Sequence, residues 1–429
     1  MRHDWIRRSG MVAALVWLLA NGQVVTAAPG GSDTTGQIRA NWPRFRGWDG
    51  SGIVGQTNVA LAWETNGSGI LWQVPNPAPG NNSPIIWENT LFLSGATADR
   101  REVFAFDAGT GKLKWRRSLE KAPVGPTKPP QVLEEAGYAC STMATDGRQV
   151  FAIFATGDLA AFDLDGRPAW NKVLGPFRNV YGYATSLAIW QDKLIVQVDQ
   201  GEGAASGSKL IIFEGATGKP VWEQNRPVPA SWATPIVIEL GGRNQVVTLG
   251  EPWVIGYAIT DGAELWRADQ LQGEVTASPV FAGGLVFVIN PGSALSALRP
   301  GAGDITKSGV VWSAHENIPD VTSPVSDGEL VFVTTSAGML TCFDAHDGRK
   351  VWEHDLGFEV QASPSLAGSR LFVLGAEGTG VVVEAGRQFK ELARSKLEDH
   401  FIASPAFSGG RMFLRGATNL YCIEKGDKK

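Results

Sequence analysis

Residues Phe106 to Trp115 read FDAGTGKLKW, and the reading of that decamer decides the fold. Its Gly-Thr-Gly-Lys centre looks like the end of a phosphate-binding loop. Such a loop needs Gly, four residues, then Gly-Lys-Ser/Thr. Here the first position is Phe106, and Leu113, which has no hydroxyl for magnesium, follows Lys112. The decamer also recurs, which a nucleotide loop does not explain. Copies read FDLDGRPAW (162–170), FEGATGKPVW (213–222), YAITDGAELW (257–266) and FDAHDGRKVW (343–352). Arg167 and Arg349 stand where the first copy has its lysine. A turn accounts for all of this. Asp107 can accept turn N–H groups, Gly111 can take positive φ, and the tryptophan buries a large ring between neighbouring repeats.

A further copy, VEAGRQFKEL (383–392), ends in Leu392, and a stretched one runs from Ala297 to Trp312 with an insertion around Gly301 to Gly309. A second element precedes each copy. It is a Ser or Thr, mostly followed by Pro, and then an apolar run. It begins at Ser83, Ser141, Thr185, Thr234, Ser278, Ser323, Ser363 and Ser404, which makes eight units. Short β-branched runs punctuated by Gly and Pro argue for strands and against a helical repeat. Four strands in 40–50 residues make a propeller blade. The eighth unit stops after YCIEKGDKK without a fourth strand, while GILWQVP (69–75) is spare. Pairing the two would remove an open edge.

The expected fold is therefore all-β: an eight-bladed β-propeller of four-stranded antiparallel blades, with an N-terminal strand completing the last blade. Trp72, Trp115, Trp170, Trp222, Trp266, Trp312 and Trp352 are the expected blade-docking residues, which uses seven of the 16 tryptophans. The expected limits are a signal peptide at 1–27, a lead-in at 28–57, the propeller at 58–425 and a tail at 426–429. The segment Asn41 to Thr65 is expected to pack on the outside.

Arg2, Arg7 and Arg8 precede the apolar run Met11 to Ala20, and Val25-Thr26-Ala27 fits small-x-small cleavage. The expectation is export to the periplasm or beyond, with no later membrane-spanning segment. Cleavage removes three Arg and one Asp and takes the formal charge from −5 to −7. A mildly acidic chain without a basic run is a poor match for nucleic acid. Cys140, Cys342 and Cys422 have neither CxxC nor metal-site spacing and read as buried small hydrophobes.

The pattern Ala-x-Asp-x-x-Thr-Gly-x-x-x-Trp is complete at Ala105, Asp107, Thr110, Gly111 and Trp115. It resembles the tryptophan-docking repeat of the pyrroloquinoline quinone (PQQ) propeller family, over roughly residues 42–425. That family holds quinoprotein alcohol dehydrogenases and also the cofactor-free propeller subunit of the outer-membrane β-barrel assembly machine. The resemblance to the enzymes implies an adjacent Cys-Cys pair over the quinone, an Asp base and a calcium held by Glu and Asn. No two cysteines are adjacent here, and none of those residues maps onto this chain. The Gly-x-Ser-x-Gly elbow and kinase motifs are also missing.

Function is then expected in the loops that lead from one blade to the next. They hold Asn81, Asn82, Tyr138, Tyr181, Tyr183, Trp232, Glu274, Asp320, Glu359, Gln361 and His400, with Asp399 beside the last. The acidic members could line a channel mouth that attracts a cation, or form an ordinary solvated rim. The long Pro-rich connection Glu120 to Tyr138, together with Arg178 to Tyr183, is the preferred contact surface. The leading expectation is a monomeric, non-catalytic scaffold for a protein or peptide partner, without a cofactor. A PQQ- or calcium-dependent oxidoreductase is the alternative. Carbohydrate binding through Trp232, Tyr181 and Tyr183 is a weaker one.

Overall fold

The structure, a computed structural model, describes residues 34–64, 69–119 and 130–425. The expected signal peptide, the tail and residues 120–129 of the long connection lie outside the described residues. Eight antiparallel sheets follow one another along the chain, each with four blade strands. Blade 1 shows the pattern: Ile85–Trp87, Thr90–Ala96, Arg101–Asp107 and Leu113–Ser118, paired in that order. In blade 8 the strand Ile70–Pro75 pairs antiparallel with Asn419–Ile423, placing Trp72 opposite Cys422. The ring closes as the sequence predicts.

The decamer is a turn. The Asp107 carboxylate accepts the Thr110 backbone N–H and hydroxyl, both at 2.8 Å, and the Asn89 amide at 2.7 Å. Gly111 has φ +69°, and a Cβ there would lie 2.8 Å from the Trp72 ring. Gly111 is thus the seat for the previous blade's indole. In every blade the pairing of the third and fourth strands slips by one residue next to the tryptophan position, in blades 1 to 7 beside this turn. Such bulges sharpen strand twist.

The indole of Trp72 donates to Ala108 O of blade 1, and that of Trp115 to Leu164 O of blade 2. Trp170, Trp222, Trp312 and Trp352 likewise reach the next turn, at 2.7–2.9 Å. Each ring buries roughly 200 Å², an upper bound of about 5 kcal/mol at 25 cal/mol/Å². The hydrogen bond adds about 1 kcal/mol. Ring burial is therefore the larger share of each lock.

Trp266 departs from the expected docking. It is fully buried at the blade 4–5 seam, but its indole donates to Gln245 Oε1 within its own blade. The insertion in the stretched copy is the reason. It places Gly303–Asp304 as a parallel strand against Trp266 and Arg267, where the next blade's turn would otherwise sit. Blade 7 has Leu392 at the Trp position. There Trp63 of the lead-in packs on Gly380 instead, and Ser395 Oγ accepts its backbone N–H.

The lead-in does not pack on the outside. Residues 42–54 run through the middle of the ring and touch five blades. Trp42 exchanges backbone hydrogen bonds with Ile86 of blade 1, and Pro43 O accepts Thr145 N–H of blade 2. Arg44 donates to Pro235 O of blade 4, and Arg46 to Pro324 O and Pro364 O of blades 6 and 7. Ile53–Val54 then adds a fifth, parallel strand beside Ser365–Ala367. Composition could not reveal this, because these partners are backbone groups far away in sequence.

Candidate functional site

The first strand of each blade faces the axis, so the recurring Ser/Thr positions converge there. Ser83 N–H donates to the Thr142 hydroxyl at 2.9 Å, and Thr142 N–H to that of Ser186 at 3.1 Å. The series continues through Thr234, Ser278, Ser323 and Ser363 to Ser404, each step 2.9–3.1 Å. In blades 2 and 3 the ring residues are Thr142 and Ser186, one place beyond the expected Ser141 and Thr185. Those two dipeptides offer two adjacent hydroxyls and lack the proline that marks the register elsewhere. Ser141 and Thr185 instead donate to backbone carbonyls of the next blade.

All eight ring residues line one cavity of about 440 Å³. Phe45, between the two plugging arginines, also lines it. Arg44 faces the other side, where a second cavity of similar volume lies between the lead-in and the first hairpins of blades 3 to 5. The plug therefore divides the channel. Both guanidiniums are fully buried. Burial pulls Arg44 down to about 10 and Arg46 to about 9, while the Asp49 carboxylate opposes the shift. Both remain charged near neutrality. Gly52 makes the close approach: a Cβ there would lie 2.5 Å from Arg46 Nη2.

Around the cavity mouth the structure gathers Asn81, Glu135, Tyr181, Trp232, Thr276, Asp320, Gln361 and Ser336. Tyr181 and Trp232 meet edge to face at 5.1 Å. Asn179 Oδ1 accepts both the Trp232 indole and the Tyr181 backbone N–H, which fixes the pair. Burial raises the Tyr181 phenol, with Glu274 and Glu135 adding to it. Asp320 accepts the Ser336 hydroxyl at 2.5 Å, and its carbonyl accepts that of Thr276 at 2.6 Å.

The other expected residues lie elsewhere. Asn82 is buried and donates to Ser94 O and Ala139 O. Tyr138 donates to Pro130 O. Tyr183 packs on Phe177 at 5.2 Å, and burial pushes its phenol up. Glu274 and Glu359 are exposed. His400 pairs with Glu377 at 3.1 Å, and Asp399 accepts from Thr418, Asn419 and Tyr421. Sequence reasoning missed Phe45, Arg44, Arg46 and the hydroxyl ring. The signal for the ring was the eightfold Ser/Thr position itself, since equivalent positions of a closed ring must face one axis.

The residues lack the adjacent Cys-Cys pair that the resemblance to the quinoprotein enzymes implies. Among the described residues no three His, Cys, Asp or Glu side chains come together at metal-binding distance. The three cysteines are separate and unbridged. Burial holds the Cys140 thiol up at about 11, so the one cysteine on the cavity is a poor nucleophile.

The sequence model of one family, described as outer membrane protein assembly factor BamB, matches residues 48–201, 206–323 and 302–388. The chain belongs to that family. It is 26% identical to the BamB of Nitrosomonas eutropha over 222 residues, covering 47% of this chain and 50% of that protein. It is 28% identical to the BamB of Burkholderia pseudomallei over 228 residues, covering 50% and 55%. The chain spans about half the length of these curated relatives. Among solved structures, BamB from Moraxella catarrhalis superimposes with a TM-score of 0.60 at 16% identity, over 83% of this chain and 99% of that one. A quinohemoprotein alcohol dehydrogenase from Pseudomonas putida gives 0.64 at 10% identity, over 91% and 81%. At such identities these two likenesses show the fold alone. Among the described residues no helix is long and apolar enough to cross a membrane.

Proposed function

We propose that this chain is an exported, non-catalytic propeller of the cell envelope, which binds a protein partner and serves outer membrane protein assembly as a scaffold. The observation that carries the reading is the plug. The chain's own Arg44-Phe45-Arg46 occupies the axis, and among the described residues no group of three His, Cys, Asp or Glu side chains comes together to hold a metal. Membership of the BamB family supports the same direction. The partner surface is the face around the cavity mouth. Leu133, Val180 and Val321 are exposed apolar residues there, and Leu133 N–H bonds Val180 O at 3.1 Å. Three such side chains beside the Tyr181–Trp232 pair resemble the aromatic and aliphatic anchors of protein interfaces. The protein acts as a monomer in this reading and carries no resident cofactor.

The test is in-cell photocrosslinking from positions 133 and 180. The expected result is capture of an envelope protein of the outer membrane assembly pathway, with capture from position 133 lost on Val180→Asp. Tight binding of the quinone with calcium, accompanied by dye-linked alcohol oxidation, would overturn the scaffold reading.

A further inference from the structure

The hydroxyl ring leaves chemistry unspent. Each ring residue is more than nine-tenths buried. Thr142, Ser186, Thr234, Ser278, Ser323, Ser363 and Ser404 each accept one backbone N–H. Among the described residues no protein group accepts a proton from any of the eight hydroxyls. A hydroxyl is one donor and two acceptor sites. Seven ring members thus present a free O–H and a free lone pair to the cavity, and Ser83 presents its whole hydroxyl.

Charge decides the class of ligand. Beneath the Phe45 floor lie two buried guanidiniums with one neighbouring carboxylate, Asp49, which disfavours a cation resting on the ring. Among the described residues the charged ones that line the mouth are Glu135 and Asp320, which disfavour an anion passing in. A neutral ligand meets neither field. It must also donate and accept in many directions, and offer an apolar face to Phe45 and to the Trp232–Tyr181 pair. Asn81 and Gln361 add amides that do both. The volume of about 440 Å³ lies within the range of small-molecule sites, about 300–1,000 Å³.

We infer that the axial cavity is a binding site for a neutral saccharide, whose hydroxyls pair with the ring and whose C–H face lies on the aromatics. The site shares the Tyr181–Trp232 pair with the proposed partner surface, but it does not depend on that reading, since sugar binding is a property of the isolated chain. Calorimetry on the purified full chain tests it. The probes are neutral hexoses, N-acetylhexosamines and their disaccharides, with choline chloride and sodium phosphate as the charged comparisons.

The expected result is saturable binding of a neutral sugar and none of choline or phosphate. Trp232→Ala and Gln361→Ala should each weaken that binding about tenfold with the melting temperature unchanged. Ser363→Ala should weaken it too. Ser363→Thr should retain it, because Thr already stands in the ring at 142 and 234. No saturable binding across the panel would overturn the inference. So would tighter binding of choline or phosphate, or a sugar affinity unmoved by Trp232→Ala and Gln361→Ala.

Discussion

At the outer radius Trp72, Trp115, Trp170, Trp222, Trp312 and Trp352 each hand an indole N–H to the next blade's turn. At the axis a single non-repeating segment hands guanidinium N–H groups to the carbonyls of Pro235, Pro324 and Pro364. The outer contacts are many, equivalent and made between consecutive repeats. The axial contacts are few, unlike one another and made across the ring. The belt gains mostly from burying rings, so one seam can be altered without opening the others. The blade 4–5 seam is such a case, where Trp266 turns inward and an inserted strand covers it. The axis gains from satisfying buried carbonyls with buried charge, so it tolerates little variation. It also sets the floor of the cavity, which the belt does not touch.

The largest expected effect is on the belt. Trp115→Ala should lower stability by about 3–5 kcal/mol, as for a buried aromatic truncation, measured by urea unfolding. Sugar binding by the folded remainder should be intact. A selective loss of binding at unchanged stability would dissolve the division between belt and axis.

Arg46→Met comes next. It leaves the carbonyls of Ser51, Pro324 and Pro364 without their donor. The expected loss is about 2–4 kcal/mol, by the same unfolding measurement. Unlike the tryptophan variant it should also weaken sugar binding, because Phe45 would lose its support. A loss below about 0.5 kcal/mol, the scale of an ordinary surface change, would show that the plug is not part of the core.

The smallest effect sharpens the turn itself. The Thr110 hydroxyl, with backbone N–H bonds, outweighs burial and holds the Asp107 carboxyl below its ordinary range. A carboxyl lowered in the folded state stabilises above its unfolded pKa, near 3.9, and loses that contribution as pH falls through the folded value. Asp107→Asn should therefore be less stable than the parent by a constant margin above about pH 5. The margin should shrink steadily below about pH 4. Urea midpoints across that range check it, and a margin independent of pH would remove the carboxylate's role in the turn.

The parts of the molecule that repeat were legible. Eight Ser/Thr starts and seven tryptophans gave blade number, ring closure through Gly69 to Pro75 and the turn at Asp107 to Gly111. Errors came where a copy lost its marker. Without a following proline, Ser141-Thr142 and Thr185-Ser186 are ambiguous by one residue, and a one-residue slip exchanges the two faces of a strand. Of the expected loop residues, Asn81, Tyr181, Trp232, Asp320 and Gln361 meet at the cavity. The order of loops around a ring places them on one face, but not at one radius. Asn82 and Asp399 turned into the backbone framework because buried carbonyls and turn N–H groups claimed them first, and Tyr183 turned into the core against Phe177.

By itself the sequence determined an eight-bladed ring and the residues that lock its rim, because periodic burial and turn chemistry act between neighbours in the chain. The tertiary structure alone decided what fills the axis. The stretch NWPRFRGWDGSG (41–52) carries no periodicity that would announce its place. Its arginines are held by carbonyls as many as 318 residues away, which come within reach only after the ring has formed. The hydroxyl-lined cavity follows from the same fact, since its walls are the repeat and its floor is the one segment that does not repeat.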